Sequence, residues 1–201
     1  MRKANEAILV IDVQNDFCPG GALAVAGGDE IVAPINALVP EFQVRVFTQD
    51  WHPADHLSFA SQHDGAAPFS TTEMPYGPQV LWPDHCLIGS DGAAFHPKLD
   101  TRSADMILRK GFRREIDSYS AFFENDRTTP TGLEGYLRAR GVDAVALVGL
   151  ATDYCVAYSA LDAARLGFRV TVVETLCRAI DLEGSLDAMK SQMAGAGVTL
   201  A

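Results

Sequence analysis

The chain has 201 residues, 48% of them hydrophobic and 21% charged. That is enough for one sizeable domain with a buried core, and it excludes an intrinsically disordered chain. A formal net charge of −10 argues against nucleic acid or an anionic membrane as partner, and no apolar run approaches the ~20 residues that span a bilayer.

In chain order, MRKANEAILVID carries two basic residues, but Asp12 cuts its apolar run, so it reads as a first strand rather than an export signal. Strand-length apolar runs recur at 7–13, 44–48, 105–109, 144–150 and 169–175. They are rich in Val, Ile and Leu without clean alternation, as in strands covered on both faces. Between them, helical spacing is expected over 28–39, with Pro34 in its first turn or kinking it, and over 131–141, 152–167 and 181–197. The second and third of these end at glycines suited to a helix C′ position, Gly141 and Gly167. Alternating strands and helices imply a single α/β domain over 1–201, doubly wound around a mainly parallel sheet. The segment 50–104 is the exception, long and poor in periodicity. It holds every histidine of the chain (His52, His56, His63, His85, His96) and both tryptophans (Trp51, Trp82), which favours a functional excursion.

Open parallel sheets bind ligands beyond the carboxyl ends of their strands. There the chain places Asp12 at the end of the first strand, Asp50 just beyond the second, Lys110 closing the third and Cys155 a short turn beyond the fourth. Read singly, these are a turn cap, a surface lysine and a small buried thiol. Together they are an acid, a base and a nucleophile on one rim. With Thr152 as N-cap, Cys155 falls at N3, where unpaired amides and the helix dipole lower a thiol pKa. Asp153 opposes this, so a dedicated base is required, and Asp12 held ionised by Lys110 fits that role. Asp50 and His52 are two residues apart, so an extended segment points both to one face, which suits two ligands of a single ion. Spacing alone leaves the third ligand open among His56, His63, His85 and His96. The four cysteines (Cys18, Cys86, Cys155, Cys177) lack zinc-type CxxC pairing, and reduced thiols in a cytoplasmic setting are expected.

Five motifs then carry a resemblance nearly end to end: AILVIDVQNDFCPGGALAV (7–25), FTQDWHPADHLSFASQH (47–63), LWPDHCLIGSDGAAFHP (81–97), ILRKGFRREIDSYSAFFEN (107–125) and VGLATDYCV (148–156). In this order they resemble the nicotinamidases, also called pyrazinamidases, of the isochorismatase-like cysteine hydrolases. The resemblance implies that fold and a triad of Asp12, Lys110 and Cys155. It further implies an oxyanion site at the backbone N–H groups of Ala151 and Cys155, and a cis peptide between Leu150 and Ala151. Asp50, His52 and His85 would ligate one divalent transition metal, zinc or iron, with manganese also compatible. Some relatives carry a histidine at the place of Ser58, whose hydroxyl would reach the metal only weakly or through water. His56 matches no ligand position and is expected to be a loop residue. Phe17, Trp82 and Tyr119 would wall a flat pyridine ring. The implied activity is hydrolysis of nicotinamide, and of pyrazinamide, through a thioester in NAD salvage. The small aromatic amide is the partner, and homo-oligomerisation is left open. The rivals are a sister amide hydrolase of the same fold, which generally lacks the DWH…WPDHC set, and a non-catalytic binding protein, which has no use for an intact triad.

Overall fold

The computed structural model describes residues 5–201, so residues 1–4, at the start of the opening segment, lie outside it. Eight strands follow in chain order: β1 (Glu6–Ile11), β2 (Val44–Asp50), the short pair β3 (Thr71–Met74) and β4 (Gly77–Val80), β5 (Met106–Lys110), β6 (Ala144–Leu150), β7 (Arg169–Arg178) and β8 (Thr199–Leu200). Six of them form one sheet in the order β5-β2-β1-β6-β7-β8, every pairing parallel. The helices are α1 (Val32–Leu38), α2 (Leu133–Ala139), α3 (Ala157–Arg165) and α4 (Ser185–Gly195). All seven residues of β6 and five of six in β1 are buried, which is why these two read as unbroken apolar runs.

β5 departs from that expectation. It is the edge strand, and Ile107 and Arg109 are exposed while Leu108 and Lys110 are buried. The alternation is that of a half-covered strand, and it delivers Lys110 inward. Pro34 sits in the first turn of α1, where its missing N–H is not needed. α2 and α3 end, as expected, before left-handed Gly141 and Gly167. Two features were not read from the sequence. One is β8, only two residues long, and the other is the antiparallel hairpin β3–β4 inside the long segment after β2. The order in which the chain adds strands reverses at β1, with β2 and β5 laid to one side and β6, β7 and β8 to the other. That switch point is where a crevice opens beyond the strand ends.

Candidate active site

Asp12 follows β1 in a left-handed conformation (φ 47°), which a short polar side chain tolerates better than most, and it is fully buried. Thr48 Oγ1 fixes it, accepting from Asp12 N at 3.1 Å and donating to Oδ1 at 2.5 Å. Lys110 is the register partner of Asp50 on the neighbouring strand, and its ammonium joins four groups. Nζ lies 2.8 Å from Asp12 Oδ2, donates to Asp50 Oδ1 and to Ser118 O at 2.8 Å, and sits 3.4 Å from Cys155 Sγ. The four rim residues chosen from strand ends therefore meet at one point. Burial alone would discharge the lysine, but Asp12 and Asp50 hold it well above the ordinary lysine value. Burial pushes the carboxyl of Asp12 upward, with Lys110 pulling the other way.

Cys155 is 6% exposed, but its turn differs from the expected N-cap arrangement. Thr152–Val156 is a π-turn running into α3; Ala151, not Thr152, stands at the cap position, and no side chain caps the turn. Cys155 is thus the fourth residue of a wide turn. Nor is its thiol pKa lowered, as a helix-start position would imply. Burial drives it well above the ordinary cysteine value, against the opposing pull of Lys110. The resting state is a thiol, which makes the adjacent base necessary. Asp153 faces away, accepting from Ile180 N (3.0 Å), Asp181 N (2.8 Å) and Ser185 Oγ (2.5 Å), so it tethers the loop before α4. The Leu150–Ala151 peptide is cis.

Asp50 uses its two oxygens differently. Oδ1 accepts from Lys110, whereas Oδ2 lies 3.7 Å from His52 Nε2 and 3.9 Å from His85 Nε2. His52 Nδ1 pairs with Gly111 O and His85 Nδ1 with Pro83 O, both at 2.8 Å. Because a carbonyl only accepts, each Nδ1 carries a proton, and each Nε2 is the ring atom turned toward the carboxylate. Gly111 makes this approach possible: its φ is +68°, and any Cβ there would collide with the His52 ring. Although burial works the other way, Lys110 and His52 hold Asp50 well below the usual carboxylate range. Burial, helped by His52, lowers His85 to about 4, so its imidazole is neutral at physiological pH. Burial opposes it, but Asp50 holds His52 above the ordinary histidine value. The two Nε2 atoms and the carboxylate lie within 4.8 Å of one another and are the donor types of a divalent transition-metal site, which would take both imidazoles in neutral form.

The other histidines separate from this set. His56 is not a bystander in a loop: it is fully buried, its ring centroid 4.5 Å from that of His52. Its Nδ1 accepts from the amide of Ser58 at 3.2 Å and pairs with the Ser58 hydroxyl at 2.7 Å. Ser58 is thus engaged with His56. His56 groups with His52 and Asp117 rather than with Asp50 and His85. His63 pairs with Leu57 O at 2.8 Å, and His96 accepts from Lys98 N at 3.3 Å.

Beside Cys155 a cavity of about 20 Å³ is bordered by Phe17, Trp82 and Tyr119, the three expected walls, and by Asp50, His85 and Ala151. The sequence reading missed Tyr154, Asp117, Leu23 and Ile180, which complete it. Tyr154 adjoins Cys155 in sequence, and that position was signal enough. It stacks edge-on against Trp82 at 4.8 Å between centroids. Gln14 was also missed. Its side chain bonds both Asp50 O (2.9 Å) and Asp50 N (2.8 Å), which sets the carboxylate's starting point.

Residues 6–201 match the family profile described as the isochorismatase domain. A nicotinamidase of Acinetobacter baylyi is 55% identical over 98% of this chain and 93% of its own. The solved Acinetobacter baumanii nicotinamidase/pyrazinamidase superposes with a TM-score of 0.98 at 53% identity, covering 100% of this chain and 97% of that one. The pyrazinamidase of Pyrococcus horikoshii, solved in complex with zinc, superposes with a TM-score of 0.79 at 32% identity over 98% of each chain.

Proposed function

The chain belongs to the isochorismatase family, and from that premise we propose that it is a nicotinamidase, hydrolysing nicotinamide to nicotinate and ammonia and pyrazinamide to pyrazinoate and ammonia. One observation carries the reading. The Asp50 carboxylate joins the Lys110 ammonium through Oδ1 and faces His52 and His85 through Oδ2, so nucleophile and donor set serve one cavity. The 55% identity to a nicotinamidase over nearly the whole chain supports it.

Asp12 takes the thiol proton of Cys155, and the sulfur attacks the carboxamide carbon. The negative oxygen accepts from the N–H groups of Ala151 and Cys155. Asp12 returns its proton to the amide nitrogen, the C–N bond breaks, and ammonia leaves a thioester on Cys155. A water then gives a proton to Asp12 and its oxygen to the acyl carbon. The C–S bond breaks, nicotinic acid is released, and Asp12 reprotonates the sulfur. Lys110 keeps Asp12 charged between these transfers. Phe17, Trp82, Tyr119 and Tyr154 hold the ring flat and exclude water. A zinc or iron ion (manganese being compatible), when held by Asp50, His52 and His85, supplies Lewis-acid affinity for the ring nitrogen. NAD salvage in the cytoplasm is the setting this activity fits.

Replacing the nucleophile tests the reading. Cys155→Ala is expected to lose at least about a hundredfold in kcat while still binding nicotinamide, because the ring walls and metal donors remain. Turnover above that level, or a thioester adduct located by mass spectrometry on another residue, would remove Cys155 as nucleophile.

A further inference from the structure

The hairpin β3–β4 sends one side chain inward, behind two residues that line the cavity. Gln79 on β4 is 1% exposed, and every polar atom it carries is engaged. Its Nε2 donates to Tyr119 Oη at 2.8 Å, to Asp117 Oδ2 at 3.0 Å and to Val80 O at 2.8 Å. Its Oε1 accepts from Tyr76 Oη and from Asn125 Nδ2, each at 3.1 Å. Trp82 Nε1 donates to the same Tyr119 oxygen at 3.0 Å, and Asn125 Oδ1 accepts from Tyr119 N at 3.0 Å. One aromatic wall, Tyr119, and the Asp117 carboxylate thus meet a single amide directly, and a second wall, Trp82, joins it through the Tyr119 hydroxyl.

From this network we infer that Gln79 is the positioning residue of the ring pocket, holding Tyr119, Trp82 and Asp117 in the arrangement that receives the aromatic amide. The inference rests on the amidase reading above. None of the hydrogen bonds of Gln79 reaches Asp12, Lys110 or Cys155, so its contribution is to binding rather than to bond breaking. A buried carboxylate and two aromatic rings can stay in fixed rotamers only if their polar atoms are satisfied, and a pocket set before the substrate arrives loses less ordering entropy on binding. Gln79 is suited to this because one amide offers donors and an acceptor. A donor meets Asp117 and Tyr119, while the acceptor takes Tyr76 and Asn125.

Steady-state kinetics of three variants with nicotinamide test it. Gln79→Met keeps the length of the side chain and removes its hydrogen bonds. KM is expected to rise about tenfold with kcat within about twofold of wild type, the pattern of lost uniform binding. Tyr76→Phe removes one bond to Gln79 and should raise KM in the same direction by a smaller factor, which keeps the test decisive if Gln79→Met does not fold. Gln79→Glu replaces the donor by an acceptor facing Asp117, Tyr119 and the Val80 carbonyl. Its KM should exceed that of Gln79→Met near neutral pH and recover as pH falls, because a protonated carboxyl can again donate. A merely structural role would not produce that recovery. Unchanged KM in both Gln79→Met and Tyr76→Phe, or a fall in kcat at constant KM, overturns the inference. Wild-type protein that releases no ammonia would instead sink the amidase reading. In that case calorimetry with nicotinamide on the same samples still decides the positioning role, since weaker binding by Gln79→Met upholds it and equal binding overturns it.

Discussion

In the proposed reaction, Lys110 is the residue on which the chemistry turns. Removing one partner from a buried ion pair typically costs about 3–5 kcal/mol because the remaining charge is stranded. Here two carboxylates would be stranded together, with Asp12 and Asp50 facing each other. Burial favours the neutral form of Asp12 and Lys110 favours the charged one. Without the lysine both burial and Asp50 push the Asp12 pKa further up, so less of the base is ionised at any given pH. The Lys110→Met variant is therefore expected to lose at least about a hundredfold in kcat/KM at neutral pH, the scale of general-base catalysis. The acid limb of its pH–rate profile should move to higher pH. Its melting temperature should fall, and fall least at acid pH, where protonation removes the repulsion. A pH–rate profile like that of wild type would reduce Lys110 to a structural cation.

At the scale of elements, what could be read in advance was whatever burial dictates. β1 and β6 are covered on both faces, so their apolar runs announced them, and their carboxyl ends pointed to Asp12 and to the turn that carries Cys155. The edge position of β5 was hidden in a five-residue run too short to show its alternation. The hairpin β3–β4 was invisible because its residues are mostly exposed or half-buried, with no apolar face to create a pattern. The π-turn was invisible for another reason: residue types give no sign that a helix will begin one residue wider than usual. The metal donors were only partly legible. Asp50 and His52 share a short extended stretch, but His85 arrives from a distant loop, held by the carbonyl of Pro83. Choosing among four histidines required the family resemblance. His52→Ala and His85→Ala are each expected to lose stoichiometric metal by elemental analysis. His96→Ala, whose ring lies on another part of the surface loop, should keep it. His56→Ala should also keep it, since His56 groups with Asp117 instead; metal loss in that variant would enlarge the donor set to include it.

Across the whole molecule, the sheet's switch point brings together two sites that could have been separate. The strand ends supply Asp12, Lys110 and Cys155, and the long excursion after β2 folds back to supply His52, His85 and Trp82. No helix among the described residues is long and apolar enough to cross a membrane, and all four cysteines are free and buried. What joins the two sites is Asp50. If that junction serves one reaction, the ring nitrogen of the substrate and its carboxamide must be read at the same time. Ammonia release from nicotinamide and from benzamide, each with metal-loaded and with chelated protein, measures this directly. Benzamide keeps the amide and nearly the same shape but has no ring nitrogen. Metal-loaded protein should turn over nicotinamide at least tenfold faster in kcat/KM, a difference of about 1.4 kcal/mol, and chelation should bring the nicotinamide rate down toward that of benzamide. Equal rates for the two amides in metal-loaded protein would contradict the joint site, and no ammonia from either would contradict the amidase itself.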